Sequence, residues 1–139
     1  MINIRPLEKN DLSFLLEVRN DFSTRNNLED NSIFDIEQCE NWFVKSNPKW
    51  FIIEHKNIKV GYFRTNGDEV GCDIHPDFRR NGFARMSYEY YLKHINSASL
   101  WVFEDNFAKN LYESLGFTPS GKTKKIRNRN YIHMVWNRA

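Results

Sequence analysis

Apolar and polar positions alternate along this chain with two periods, and the changes of period mark its elements. Ile2-Asn3-Ile4 alternates and predicts a short first strand. Asn10 or Asp11 can cap a helix that carries Leu12, Leu15, Leu16 and Arg19 at helical spacing. Asp35 opens a second helix, with Gln38 at the capping-box position and an apolar face of Ile36, Cys39 and Phe43. Two strands follow, Trp50–Ile53 and Ile58–Phe63, around the polar turn Lys56-Asn57. Asn66-Gly67 is a tight-turn dipeptide and leads into the strand Val70–His75, which Pro76 ends.

After a polar stretch closing at Gly82, Ala84, Tyr88, Tyr91, Leu92 and Ile95 repeat as one face of a helix. Leu100–Phe103 reads as a buried strand. Ala108, Leu111, Tyr112 and Leu115 form the face of a short helix stopped by Gly116. Phe117 and Tyr131–Trp136 supply the last strands. The predicted order is β-α-α-β-β-β-α-β-α-β-β, an α/β arrangement with a strand–loop–helix unit at its centre.

Composition narrows the class. The chain has 139 residues, 40% of them hydrophobic and 15% aromatic, enough for one domain with its own core over residues 1–139. A formal net charge of +2 argues for neither nucleic acid nor membrane as a partner. Cys39 and Cys72 have no CxxC or metal-ligand spacing, so they read as packing residues, and no metal is expected. No stretch approaches the length of a membrane span, and acidic residues follow the first strand where a signal peptide would be apolar, so the cytosol is the expected location. Charge is concentrated at one place: Lys122, Lys124, Lys125, Arg127 and Arg129 lie within eight positions that hold no acid.

The strand–loop–helix unit carries the first chemistry. The opening N–H groups of a helix lack intrahelical partners, and the helix dipole adds positive potential there. Gly82 and Ala84 leave room for a phosphate to approach the backbone, with Arg79 and Arg80 at the rim. The alternative reading is a solvated basic turn.

The residues Arg79-Arg80-Asn81-Gly82-Phe83-Ala84 resemble the Arg/Gln-x-x-Gly-x-Gly/Ala signature of the GNAT N-acetyltransferases, and the preceding strand closes in Ile74-His75-Pro76-Asp77-Phe78. Downstream, Ala108-Lys109-Asn110-Leu111-Tyr112-Glu113-Ser114-Leu115-Gly116-Phe117 resembles that family's Ala-x-x-Leu-Tyr-x-x-x-Gly-Phe segment. The resemblance implies a GNAT-like α/β fold: a mixed, mostly antiparallel central sheet, helices on both faces and a splayed pair of central strands.

It also implies acetyl-CoA as cosubstrate. Its pantetheine would lie along the open strand edge from Cys72 to His75, Ile74 included, and its pyrophosphate would lie on Arg79, Arg80, Asn81, Gly82, Phe83 and Ala84. The acceptor amine would attack the thioester directly, so neither cysteine needs a catalytic role. Tyr112 matches the family's general acid, which protonates the departing thiolate. The family's Asn seven residues before this Tyr is Asp105 here, with Asn106 beside it as the candidate cofactor contact. Glu69, Asp73 and His75 fall on one strand face by period two and are the candidate general bases. His133 and His55 are weaker candidates, and His94 is expected to face solvent.

The first half suggests the acceptor. Val18-Arg19-Asn20, Arg25 and Ile36–Phe43 resemble a GNAT branch that holds nucleotide-amino-sugar and ribosomal-protein N-acetyltransferases, although Cys39 stands where the amino-sugar members commonly have His. Arg19, Asn20, Arg25 and Trp42 are therefore candidate acceptor contacts, and the basic run Lys122–Arg129 would suit a nucleotide diphosphate. The expected acceptor is a nucleotide-linked amino sugar or similar small amine. A protein N-terminus, another small amine, or a CoA-binding module without turnover are the alternatives. The partner set is acetyl-CoA and the amine, for a monomer or homodimer with no nucleic acid or membrane.

Overall fold

A computed structural model describes residues 1–139. The strands are β1 (Asn3–Pro6), β2 (Phe51–His55), β3 (Ile58–Asn66), β4 (Glu69–Ile74), β5 (Ser97–Phe103), β6 (Thr118–Ile126) and β7 (Arg129–Asn137). The helices are α1 (Leu12–Asn20), α2 (Phe22–Arg25), α3 (Ile36–Ser46), α4 (Phe83–Leu92) and α5 (Ala108–Ser114). All seven strands form one sheet in the order β1-β2-β3-β4-β5-β7-β6. Every neighbouring pair is antiparallel except β4 and β5, which are parallel. This is the mixed, mostly antiparallel sheet with helices on both faces that the family resemblance implies.

The local chemistry explains the joints. Lys56 and Asn57 both take positive φ, as a two-residue hairpin turn between right-twisted strands requires. At α3, the Asp35 carboxylate accepts from the Gln38 N–H while the Gln38 side chain accepts from the Asp35 N–H. Two expectations need correction. Asp11 does not cap α1: its carboxylate accepts from Arg5 at 2.8 and 2.9 Å and pairs with Lys59 at 2.7 Å. Ile36 is exposed, and the buried face of α3 is carried by Cys39 with Trp42 and Phe43 packed beside it.

Alternation along β3 and β4 divides the core between the two faces. Phe63, Val70 and Ile74 point to one face, where Phe83, Tyr88 and Leu92 of α4 meet them. Tyr62 points to the other and joins Leu12, Leu15, Leu16 and Val18 of α1. Each fully buried large apolar side chain contributes roughly 1.5–3 kcal/mol, so both helical layers are bound firmly to the sheet. No helix is long and apolar enough to cross a membrane.

One joint in the sheet is incomplete. β4 and β5 share a single bridge, Glu69 with Ser99, supported by the Ser99 N–H on the Asp68 carbonyl at 2.8 Å. Beyond it the two strands diverge, and the centre of the sheet opens.

Candidate functional site

The opening between β4 and β5 is a cavity of about 400 Å³. Its β4 wall is a free strand edge. The Asp68 carbonyl faces β5, and the His75 N–H donates the other way, to the Val60 carbonyl at 2.8 Å. Backbone groups alternate sides along a strand, so the N–H and C=O groups of Cys72 and Ile74 face the gap.

A second hollow of about 260 Å³ lies at the start of α4, lined by Arg80, Gly82, Phe83 and Arg85. Both hollows share Ile74, Arg79, Ala84 and Leu111 along their walls. Gly82 stands at the N-cap of α4 with φ of 79°, a left-handed conformation that glycine adopts without a Cβ penalty. No side chain caps this helix start, so its first N–H groups remain available to an anion. Asn81 braces the loop by donating to the carbonyls of Phe78 and Arg79.

Arg79 is placed differently from expectation. Its Nε donates to the Ile74 carbonyl at 3.2 Å, and its terminal nitrogens donate to Ser23 Oγ at 2.6 Å and Thr24 Oγ1 at 2.9 Å. It ties α2 to the end of β4 and does not stand free at the loop's rim. Arg80 is exposed, with φ of 66°.

Tyr112 projects from α5 into the cavity, with its ring edge-on to Tyr88 at 5.5 Å. Burial pushes its phenol up to about 12, opposed by the neighbouring Tyr88. The Tyr88 hydroxyl is buried beside the Tyr112 phenol. Cys72 also lines the cavity, and burial pushes its thiol up, away from the thiolate form. Asn106 lines the cavity and its carbonyl oxygen accepts from the Ala108 N–H at 2.9 Å, which starts α5. Asp105 is turned away and pairs with Arg129 at 2.7 Å.

The three candidate bases separate. Glu69 and Asp73 line the cavity on the face of β4 that looks toward α1. Asp73 accepts from Arg64 Nε at 3.1 Å, whereas Glu69 has no hydrogen-bond or ion-pair partner. His75 lies past the strand end: its Nδ1 accepts from the Asp77 N–H and its ring stacks on Phe14 at 6.0 Å, outside the cavity lining. His55 and His133 also lie outside that lining.

None of the four expected acceptor contacts reaches the cavity. Arg19 donates to the carbonyls of Asp30 and Ser32, Asn20 bonds both backbone groups of Phe34, and Arg25 donates to the carbonyls of Asn20 and Asn31. They fold the α1–α3 connection. Trp42 packs edge-on to Trp50 at 4.8 Å beside a separate apolar hollow.

Both arginines of the basic run are committed, while the Lys122 side chain is exposed and without a partner. Arg127 donates to the carbonyls of Leu28 and Glu29 at 2.7 and 2.8 Å. Arg129 donates to the Asn26 carbonyl, Asn27 Oδ1 and Asp105. Lys124 sits over the Trp101 ring at 4.4 Å. The β6–β7 hairpin therefore clasps residues 26–29, of which Asn27 and Leu28, with Ser23 and Thr24, roof the cavity. Sequence reasoning missed this roof, and it missed Arg64, Trp101 and Tyr131 in the walls. A charge at mid-strand in β3, facing Gly71 and diagonal to Asp73 on β4, was the available signal for Arg64.

A model of the acetyltransferase (GNAT) domain family matches residues 20–138. No curated protein matches the sequence. Among solved structures, the chain is similar to spermidine N-acetyltransferase from Vibrio cholerae in complex with CoA and spermine, at 21% identity and a TM-score of 0.85, covering 98% of this chain and 95% of that one. An N-acetyltransferase from Staphylococcus aureus Mu50 aligns at 17% identity and 0.73, covering 99% and 98%. The structure of yncA from Salmonella typhimurium with its cofactor acetyl-CoA aligns at 19% and 0.72, covering 99% and 94%.

Proposed function

The chain belongs to the acetyltransferase (GNAT) domain family, acetyl-CoA-dependent N-acetyltransferases, and from that premise we propose that it acetylates a small primary amine by direct attack within the β4–β5 gap. The free β4 edge carries this reading. An extended chain of amides needs unpaired backbone partners, and the N–H and C=O of Cys72 and the N–H of Ile74 supply them beside a helix start open to a pyrophosphate; the Ile74 carbonyl is taken by Arg79.

Acetyl-CoA supplies the activated acetyl group. The Gly82–Arg85 N–H groups hold the pyrophosphate, with Arg80 beside it. The N–H groups of the β4 edge hold the pantetheine, and one of them polarises the thioester carbonyl as negative charge develops there. Asn106 contacts the same arm and keeps α5 in place through its cap. Tyr112, protonated at all physiological pH, gives its proton to the sulfur as the C–S bond breaks. Glu69 takes the proton released by the amine, directly or through water. It is preferred to Asp73, which is held by Arg64, and to His75, which lies outside the cavity.

A nucleotide-linked amino sugar is disfavoured. Of the five cations in the run Lys122–Arg129 expected to suit its diphosphate, Arg127 and Arg129 are spent on residues 26–29, and the cavity must also hold the thioester arm. The test is CoA release from acetyl-CoA with a panel of amines, for the wild type and Tyr112→Phe. Release with a small amine, slowed about 10²-fold in the variant, supports the reading. Equal rates in the two proteins remove Tyr112 from its role.

A further inference from the structure

Arg64 enters the cavity from β3, on the face of the sheet that looks toward α1 and away from Tyr112. Its Nε is used by Asp73, but neither terminal nitrogen has a hydrogen-bond partner in the protein. The guanidinium lies across Gly71: a Cβ there would stand 2.4 Å from Nη2 and 2.5 Å from Cζ. Glycine at this position is what lets the fork reach the gap. The Asp73 carboxylate keeps the guanidinium charged against the opposing effect of burial. A cation with two parallel open donors in a partly dry cavity is a recognition element for a planar anion.

The other charges nearby are accounted for. Arg79 is bound to Ser23, Thr24 and Ile74, and Asp73 to Arg64 itself. The groups left open are the Arg64 fork and the Glu69 carboxylate, two residues from Gly71 on the same strand face. One free positive fork and one free carboxylate complement a zwitterion. Trp101 and Tyr131, stacked at 5.3 Å, offer an aromatic wall to whatever joins its two ends.

We propose that the acceptor is a small amino acid or close analogue, whose carboxylate docks on the two free nitrogens of Arg64 while its amine is presented to the thioester beside Glu69. This rests on the acetyl-transfer reading above and names its substrate class. A polycation meets the open guanidinium as a repulsive charge, so polyamines are disfavoured at this site.

The experiment compares acceptors that differ in one group: leucine, leucinamide and isopentylamine, titrated calorimetrically with and without CoA and followed by CoA release from acetyl-CoA. The wild type should favour leucine over the other two by at least about tenfold, equivalent to about 1.4 kcal/mol. Arg64→Gln should abolish the preference. Gly71→Ala, which displaces the guanidinium and retains its charge, should abolish most of it. Leucinamide or isopentylamine binding as well as leucine to the wild type would overturn the proposal, as would a preference that survives Arg64→Gln. The wild-type comparison stands even if a variant fails to fold. Titration of acetyl-CoA alone is the separate control: its failure sinks the acetyl-transfer reading, whereas the leucine–leucinamide difference without CoA still reports on Arg64.

Discussion

Glu69 and Ser99 form the only bridge between β4 and β5, so the one parallel pair in the sheet is also the one that opens. Pairing beyond this bridge would close the cavity and consume the backbone groups of Cys72 and the N–H of Ile74. The gap is lined by Tyr88 from α4, Leu111 and Tyr112 from α5, Trp101 of β5 and Tyr131 of β7.

At the entrance to the wedge, Gly82 adopts a left-handed conformation in which a Cβ would meet only Met86 Cε, at 3.6 Å. Gly82→Ala therefore strains the backbone and does not clash. It should cost about 1 kcal/mol of stability, seen by denaturant unfolding, and weaken acetyl-CoA binding more than acceptor binding. Unchanged acetyl-CoA affinity would place the pyrophosphate elsewhere.

Because burial raises the Tyr112 phenol to about 12, its proton is retained well past the ordinary phenol range near 10. The wild-type rate should climb with pH as the acceptor amine loses its proton. It should show no decline attributable to Tyr112 below about pH 11. A descending limb centred near pH 10 that vanishes in Tyr112→Phe would contradict this environment.

The Arg5–Asp11–Lys59 cluster sets acid stability. Burial acts to raise the Asp11 carboxyl, but the hydrogen bonds from Arg5 and Lys59 outweigh it and hold the group well below the usual carboxylate range. A group with a depressed folded pKa contributes stability above its unfolded value, near 4, and loses it as pH falls through the folded value. Asp11→Asn should destabilise the protein by about 3–5 kcal/mol at pH 7. The deficit relative to the wild type should shrink below about pH 4, as thermal melts across pH would show.

The clasp over residues 26–29 rests on Arg127 and Arg129. In Arg127→Ala, amide exchange at residues 26–29 should accelerate roughly tenfold or more, as expected of a segment that opens locally. The exchange of β3 and β7 should stay as it was. Acceleration spread across the sheet would mean that the arginine supports the core and not the roof.

Much of this architecture is legible locally. Lys56-Asn57, Gly82 and the Asp35–Gln38 box announce turns and caps because their chemistry acts within a few residues. The period of Ala108–Leu115 finds α5 for the same reason. Direction is harder to read. Arg79 resembles a phosphate ligand in sequence, yet its partners Ser23 and Thr24 lie more than fifty positions away. The basic run looks like an anion site, but its arginines meet the carbonyls of Asn26, Leu28 and Glu29 across the fold. His75 follows the period of β4 in sequence, but Pro76 ends the strand and turns the ring toward Phe14. A charged side chain shows its type in the sequence, whereas its partner emerges only when distant segments meet.

Backbone amide NMR during titration with acetyl-CoA reads the β4 edge and the α4 start together. Saturable binding is expected, with the largest shifts at Cys72, Ile74 and Gly82–Arg85, smaller ones at Asn106 and Tyr112, and little change along α3. No binding, or shifts centred on the apolar hollow beside Trp42 while the β4 edge stays silent, would contradict it.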